Sequence, residues 1–211
     1  MSENIKITRV NVYSDSRFNK KVLNQHGAFT VNDKYLYEVE IFNENSARIS
    51  GSKKKYYKDV IKEFRFFAEH ITNFFDASGK KILEYKPINI FKVDIDKIQP
   101  SQFYVSNDKK QAIKSFVETE KDIIIPLTPL KDKYISLDGH TRLLVAIDLG
   151  FEYVYGFVTE TSEHIFDFVT EAKAKNINNV RDIEVLDHKD YIEKWIGYCD
   201  EYWSKIDLKN D

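Results

Sequence analysis

One cysteine, Cys199, is present in the whole chain, and a lone cysteine excludes an intramolecular disulfide, a CxxC redox pair and a cysteine-based zinc knuckle. Long apolar runs are also missing. No stretch approaches the roughly eighteen apolar residues of a membrane-spanning helix, and the segment from Met1 to Val10 has no apolar core of signal-peptide length. The sequence therefore predicts a cytoplasmic globular protein without a membrane segment.

Neither sign of charge is in large excess, because 32 Lys or Arg face 34 Asp or Glu and the formal net charge is −2. Proteins that bind nucleic acid non-specifically usually show a basic excess, so DNA is not favoured as a partner. Residues 1–86 hold 16 basic and 11 acidic side chains, whereas residues 87–211 hold 16 and 23. An anion bound by the second part must therefore be captured by local geometry, against an unfavourable long-range field.

The 211 residues, 42% of them hydrophobic, suffice for one large domain or two small ones with a core that needs no metal. Residues 29–50 partly alternate with period two around Asn and Asp turn residues, which predicts an antiparallel meander. From Lys55 to Asp76 apolar residues recur at three- and four-residue steps, which predicts a long helix with one buried face. Gly79 is the glycine expected beyond its end.

From Pro87 onward strands and helices are mixed, which is typical of an α+β domain. The expected elements of this part are a strand that breaks at Gln99-Pro100, a helix over 108–119, a short edge strand from Asp122 to Leu130 bracketed by Pro126 and Pro129, a strand from Lys133 to Leu137, a helix from Thr141 to Leu149, a strand from Tyr153 to Thr159, and two helices over about 162–175 and 188–204, the second capped by Asp187. We thus expect three parts: a meander-and-helix extension (1–86), a small mixed-sheet domain (87–160), and C-terminal helices packed on it (161–211).

The segment that indicates chemistry is a strand, a tight turn and a helix start, with the sequence YISLDGHTRLLVAIDLG from Tyr134 to Gly150. Free N–H groups at a helix start favour a bound anion, and Gly139 permits close approach of the backbone. Thr141 and Arg142 add a hydroxyl and a bidentate guanidinium. These features predict a phosphate site, to which Asp138 is an unfavourable neighbour unless a divalent cation or a transferable proton lies between carboxylate and phosphate.

The same turn, together with I-x-P-S-Q at Ile98–Gln102 and I-I-P-L at Ile124–Leu127, resembles the ParB/sulfiredoxin superfamily over about residues 93–159. In ParB partition proteins a G-E-R-R turn holds nucleotide phosphates, and Gly139 and Arg142 match its first and last positions. In sulfiredoxin the catalytic cysteine falls at His140, whereas Cys199 is far away, so the resemblance does not favour sulfinic-acid reduction.

The version of the turn closest to D-G-H-T-R is found in the free serine kinases of that superfamily. The resemblance implies catalytic roles for Asp138 and His140, and contacts to a nucleotide (ATP, ADP or CTP) from Gly139, His140, Thr141 and Arg142. It also implies Mg²⁺ at Asp138. Those kinases carry an early glutamate that acts as base. The corresponding turn here is Gln99-Pro100-Ser101-Gln102, which makes Ser101 and Gln102 candidates for the substrate region.

Two functions from different classes follow. The first is a Mg²⁺-dependent phosphotransferase that acts on a small hydroxyl-bearing metabolite. The second is a non-catalytic ParB-like module, nucleotide-gated and associated with DNA or regulation; a degenerate interaction domain is a further alternative. The residues also have simpler interpretations, since Asp138 is a common helix cap, His140 can bond a neighbouring carbonyl, and Arg142 can form an ordinary ion pair. An oligomer is compatible with the sequence.

Overall fold

The meander predicted over residues 29–50 forms the middle of a β-sheet. The computed structural model describes residues 5–210, with side chains described to residue 207. The chain is α+β and divides into two units, Met1–Ile88 and Asn89–Asp211. No helix within the described residues is long and apolar enough to span a bilayer.

Within the described part of the first unit, six strands form one sheet in the order β1-β2-β3-β4-β5-β6. Neighbouring strands are antiparallel except for the parallel pair of β4 and β5. Helix α2 lies on the sheet, and its apolar side chains share a core with those of the strands. The elements are β1 Ile7–Arg9, α1 Lys20–Asn24, β2 Ala28–Val31, β3 Tyr35–Asn43, β4 Ser46–Gly51, α2 Tyr57–Phe67, β5 Asn73–Asp76 and β6 Lys81–Glu84.

The helix predicted from Lys55 to Asp76 is wrong in its second half, because α2 ends at Phe67 and the chain returns as strand β5. Phe74 keeps the burial that its spacing indicates, but it packs edge-on against Phe64 from the sheet, with ring centroids 6.1 Å apart. Gly79 does not end a helix. It lies in the turn between β5 and β6, where the Asp76 carboxylate accepts hydrogen bonds from backbone N–H groups at both Ser78 and Lys80.

The second unit contains a mixed five-stranded sheet among its described residues, in the order β7-β12-β10-β11-β8. A separate parallel pair joins β9 to β13. Helices α6 and α7 are joined through a π-helical turn over 192–196. The elements are β7 Phe91–Asp94, β8 Ile98–Pro100, β9 Tyr104–Ser106, α3 Asn107–Lys114, β10 Ile124–Leu130, β11 Lys133–Ser136, α4 His140–Asp148, β12 Tyr153–Val158, α5 His164–Ala174, β13 Glu184–Leu186, α6 His188–Tyr191 and α7 Gly197–Asn210.

Strand β10 is central in this sheet, so the expectation of an edge strand is wrong. Its two prolines are tolerated because its neighbours cover different parts of it. β12 pairs with Ile124–Leu127 and β11 with Leu127–Leu130. Pro129 lies beyond the register with β12, and Pro126 lies just before the register with β11. Each proline is thus paired with one neighbouring strand only, Pro126 with β12 and Pro129 with β11, and the other neighbour demands no N–H donor at that position.

Residues after 160 contribute to the core of the second unit. Ala172, Ile177 and Val180 are buried in one cluster with the apolar side chains of the sheet and of α4. The rings of Trp195 and Tyr198 pack edge-on against Phe103, at centroid distances of 4.9 and 5.0 Å. As predicted, the Asp187 side chain caps the last helical stretch by accepting a hydrogen bond from a backbone N–H in its first turn. The C-terminal helices therefore help to hold the sheet that carries the candidate site.

Candidate functional site

The D-G-H-T-R turn folds as the sequence predicts, with β11 ending at Ser136 and α4 beginning at His140. Gly139 is the cap residue and has left-handed backbone angles, φ 81° and ψ 14°. Because glycine has no side chain, the cap residue itself cannot accept hydrogen bonds from the first-turn amides. Asp138 is exposed, whereas Thr141 and Arg142 are half-buried. One exposed carboxylate thus adjoins the start of the helix.

Gly139 is required by its surroundings as well as by its backbone angles. A Cβ atom at this position would lie 2.4 Å from Cδ1 of Ile125, which belongs to the central strand β10. From the sequence, the role predicted for Gly139 is to let the backbone approach a ligand closely. The structure supplies another reason, since the start of α4 packs closely against Ile125 of β10.

Replacing Gly139 with alanine is expected to lower the free energy of unfolding by about 1–2 kcal/mol from the left-handed backbone alone, with an added cost from the Ile125 contact. Gly150→Ala is the matched control, because Gly150 has φ 78° and a Cβ there would meet no described atom within 4 Å. Chemical denaturation should show the larger loss at Gly139, and Ile125→Val, which removes Cδ1, should recover part of it. Equal losses of unfolding free energy in Gly139→Ala and Gly150→Ala would contradict this account.

His140 is buried, with 4% of its surface exposed, and its ring joins the start of α4 to the turn after β8. Its Nε2 atom accepts a hydrogen bond from the Ser101 backbone N–H at 3.2 Å and lies 3.2 Å from the Ser101 hydroxyl. That hydroxyl donates to the Ser136 carbonyl at 2.8 Å. The predicted roles of His140 in catalysis and phosphate binding stay predictions. The structure shows in addition that the His140 ring positions Ser101.

Burial lowers the pKa of His140 to about 4, although the charge of Asp138 and a hydrogen bond with the Ser136 backbone act in the opposite direction. The unfolded chain therefore takes up this proton near pH 6.5, while the folded chain takes it up only near pH 4. The stability due to a neutral His140 is full above pH 6.5 and is lost as the pH falls towards 4.

We expect the free energy of unfolding to fall by about 3 kcal/mol through His140 as the pH drops from 6.5 to 4, at 1.36 kcal/mol for each pKa unit. Urea denaturation at several pH values measures this. His140→Gln keeps a polar side chain but cannot take up the proton, so the difference in unfolding free energy between parent and variant should shrink as the pH falls. A difference that is constant from pH 7 to pH 4 would refute the assignment.

The structure brings Ser101 and Gln102, the two substrate-region candidates, to the same corner as the turn. Ser101 is fixed against His140, and the Gln102 side chain donates to the Tyr104 carbonyl. The hydroxyl of Ser136 is fully buried and has no hydrogen-bond partner among the residues that the structure describes. A polar strand end and a polar turn therefore meet beside the start of α4.

Sequence reasoning missed two further residues, Tyr191 of α6, whose hydroxyl is influenced by Gln102 and Asp138, and Lys109 of α3, which contacts Tyr191. The Lys109 Nζ atom lies 3.4 Å from the Tyr191 hydroxyl, although the two residues are 82 positions apart. The charge of Asp138 contributes to a raised pKa of Tyr191, whose largest cause is burial, and a hydrogen bond from Gln102 partly offsets it. No spacing rule signals this contact, because it depends on the pairing of β9 with β13.

No protein-family model and no curated protein matches this chain. Among solved structures, the chain is similar to the crystal structure of protein Atu1540 from Agrobacterium tumefaciens, with 19% sequence identity and a TM-score of 0.34. The similarity covers 46% of this chain and 62% of that one, which is less than two thirds of its length. A likeness of this size does not assign a function.

Within the described part of the chain, no three His, Cys, Asp or Glu side chains come together as a metal site. A magnesium ion typically takes one or two carboxylates and completes its shell with phosphate oxygens and water. The exposed carboxylate of Asp138, beside the start of α4, fits that limited share of ligands. Asp138 is the residue that would hold the ion, and bound phosphates would supply the other oxygen ligands.

Proposed function

We propose that the second unit is a nucleotide-binding phosphotransferase of the ParB/sulfiredoxin type, which transfers a phosphoryl group with Mg²⁺ to a small hydroxyl-bearing metabolite in the cytoplasm. The observation that carries the proposal is the local geometry at residues 138–142. An exposed carboxylate immediately precedes a left-handed glycine that caps α4. A simple phosphate anchor gains nothing from that carboxylate, whereas a transfer site needs one to orient the acceptor.

In this proposal the nucleotide phosphates lie at the start of α4. The backbone N–H groups of His140 and Thr141 and the guanidinium of Arg142 would bind them, while the His140 ring holds Ser101 in place. A helix start with an added bidentate donor is an effective anion site. The role of His140 towards phosphate is thereby assigned to its backbone, and the buried ring acts through the neighbouring turn.

Asp138 orients the acceptor hydroxyl and receives its proton as the reaction proceeds. The acceptor oxygen forms a bond to the terminal phosphorus, and the bond from that phosphorus to the bridging oxygen breaks, so that the shortened nucleotide leaves with the electron pair. Mg²⁺ supplies neutralisation of phosphate charge when it is bound. Most of the rate enhancement would come from positioning and electrostatic stabilisation. Asp138 thus takes the part that the early glutamate has in the serine kinases, because residues 99–102 contain no carboxylate.

The second candidate is a non-catalytic ParB-like module that binds a nucleotide and regulates or associates with DNA. The absence of a carboxylate from residues 99–102 favours it. Its use of DNA is disfavoured by the acidic excess of residues 87–211, since acidic side chains oppose approach to a phosphate-lined groove. Saturable nucleotide binding without turnover, together with a salt-dependent shift of duplex DNA, would replace the first candidate with this one.

A thermal-shift screen with ATP, ADP and CTP, each with and without Mg²⁺, tests the proposal. A nucleotide at a hundred times its dissociation constant stabilises the folded state by about 2.7 kcal/mol, so a clear rise in Tm is expected. Every nucleotide that binds is then assayed for phosphoryl transfer to a panel of hydroxyl-bearing metabolites. An unchanged Tm with all three nucleotides at millimolar concentration would refute the proposed function.

A further inference from the structure

Two helices of the second unit begin side by side, because the strands before them are paired. Strand β9 runs parallel to β13, and Ser106 at the end of β9 is opposite Leu186 at the end of β13. Helix α3 follows β9 at once, and Asp187 caps the helical stretch that follows β13. The first turns of the two helices are therefore held next to each other.

Lys109 lies in the first turn of α3, and Tyr191 is at the end of the first turn of α6. The Lys109 ammonium lies 3.4 Å from the Tyr191 hydroxyl and 5.0 Å from the centroid of its ring. Lys109 itself is exposed, and it forms no salt bridge among the described residues. The other lysines of α3, Lys110 and Lys114, instead pair with Asp148 at 3.0 and 3.7 Å. Lys109 is thus an exposed cation in contact with a phenol, outside the ion pairs that the other lysines of α3 form.

Tyr191 connects this lysine to the candidate site. The phenol is buried, with 6% of its surface exposed, and the Gln102 side chain is close enough to its hydroxyl to counteract part of the rise in its pKa that burial causes. Gln102 directly follows Ser101, which His140 fixes against the start of α4. The charge of Asp138 also acts on the Tyr191 hydroxyl. The phenol is therefore in contact with the Lys109 cation and is also influenced by the charge of the proposed catalytic carboxylate.

We propose that Lys109 is a further phosphate-binding residue of this site, and that Tyr191 positions it from the C-terminal helices. The inference rests on the proposed function and extends the site beyond residues 138–142. A lysine acts on phosphate as a point charge, and a net-acidic unit needs such a cation to bring a polyanion close to Asp138. The C-terminal segment, which the sequence presents as an extension, is then part of the binding site.

Isothermal titration with the nucleotide that binds best, and separately with inorganic pyrophosphate, tests the role of Lys109. Lys109→Met is expected to weaken both ligands by about tenfold or more, the usual effect of losing a hydrogen bond to a charged group. Lys109→Arg keeps the charge and should retain most of the affinity. Lys114→Met is the matched control on the same helix, and its affinities should equal those of the parent protein.

A double-mutant cycle tests the positioning role of Tyr191. Tyr191→Phe should weaken pyrophosphate binding several-fold in the parent, and it should have little further effect when Lys109 is already methionine. A purely structural tyrosine would weaken binding equally in both backgrounds, which would overturn that part of the inference.

The outcomes separate this inference from the proposed function. Nucleotide binding that is unchanged in Lys109→Met but weakened in Arg142→Lys would overturn the inference and leave the proposed function standing. A parent protein that binds neither nucleotide nor pyrophosphate would overturn both. Weakening in Lys109→Met with rescue by arginine supports both.

Discussion

Replacing Asp138 with asparagine is expected to lower the rate of phosphoryl transfer by about 10²- to 10⁴-fold, the range for removal of a positioned acid or base, while the affinity for the nucleotide measured without Mg²⁺ changes little. Asparagine has the size of aspartate and can still form a hydrogen bond to the acceptor, but it cannot receive the proton. Asp138 is exposed and beside the helix cap, so the substitution leaves the core intact. Steady-state kinetics measures the rate of phosphoryl transfer, and titration calorimetry on the same preparation measures the nucleotide affinity.

Asp148→Asn is the matched control for this prediction. Asp148 is the last residue of α4, where it pairs with Lys110 and Lys114, so the substitution removes an equal charge at the end of the helix away from the turn. Its turnover should match that of the parent. If Asp138→Asn weakens nucleotide binding as much as it lowers turnover, the carboxylate serves binding and not the transfer step, and the proposed mechanism fails.

The second large effect is expected at Arg142. Arg142→Lys should weaken nucleotide binding by about ten- to a hundredfold, because lysine keeps the charge but cannot form the paired hydrogen bonds of a guanidinium with a phosphate. Arg142 is in the first turn of α4 and is half-buried, a position from which a planar donor pair can reach an anion at the helix start. Titration calorimetry measures the loss.

The control for Arg142 is Arg181→Lys, which changes an exposed arginine that pairs with Asp96 at 3.6 Å. Its nucleotide affinity should equal that of the parent protein. Equal affinities for the parent and Arg142→Lys would show that the guanidinium serves an intramolecular contact, as the simpler interpretation of this residue holds. The helix start alone would then have to account for any phosphate binding.

Local signals were sufficient where neighbouring residues decide the structure. The turn at Asp138-Gly139 and the cap at Asp187 follow from turn and cap preferences and agree with the structure, and the helix predicted from Thr141 begins one residue earlier, at His140. The helix predicted from Lys55 to Asp76 failed because a three- and four-residue apolar spacing continues across the boundary, where Phe74 faces the same core from a strand. Strand β10 was misplaced at an edge because each of its prolines pairs with one neighbouring strand only, which the pairing alone reveals.

The candidate site was predicted in part for the same reason. Residues 138–142 are contiguous and could be found by pattern. The His140 ring, in contrast, accepts a hydrogen bond from Ser101, which is 39 positions away in the sequence. Lys109 and Tyr191 meet only because β9 pairs with β13, and no spacing in the sequence indicates that pairing. The burial of His140, and with it the lowered pKa of its ring, also depends on this tertiary arrangement.

The central claim is that the first amides of α4 bind the phosphates of a nucleotide, and amide chemical shifts measure this directly. A ¹⁵N-labelled sample titrated with the best nucleotide should show its largest saturable shifts at Gly139, His140, Thr141 and Arg142, with smaller shifts at Lys109. If the amide signals of these residues do not move while those of other parts of the chain do, the ligand binds elsewhere and the account is contradicted.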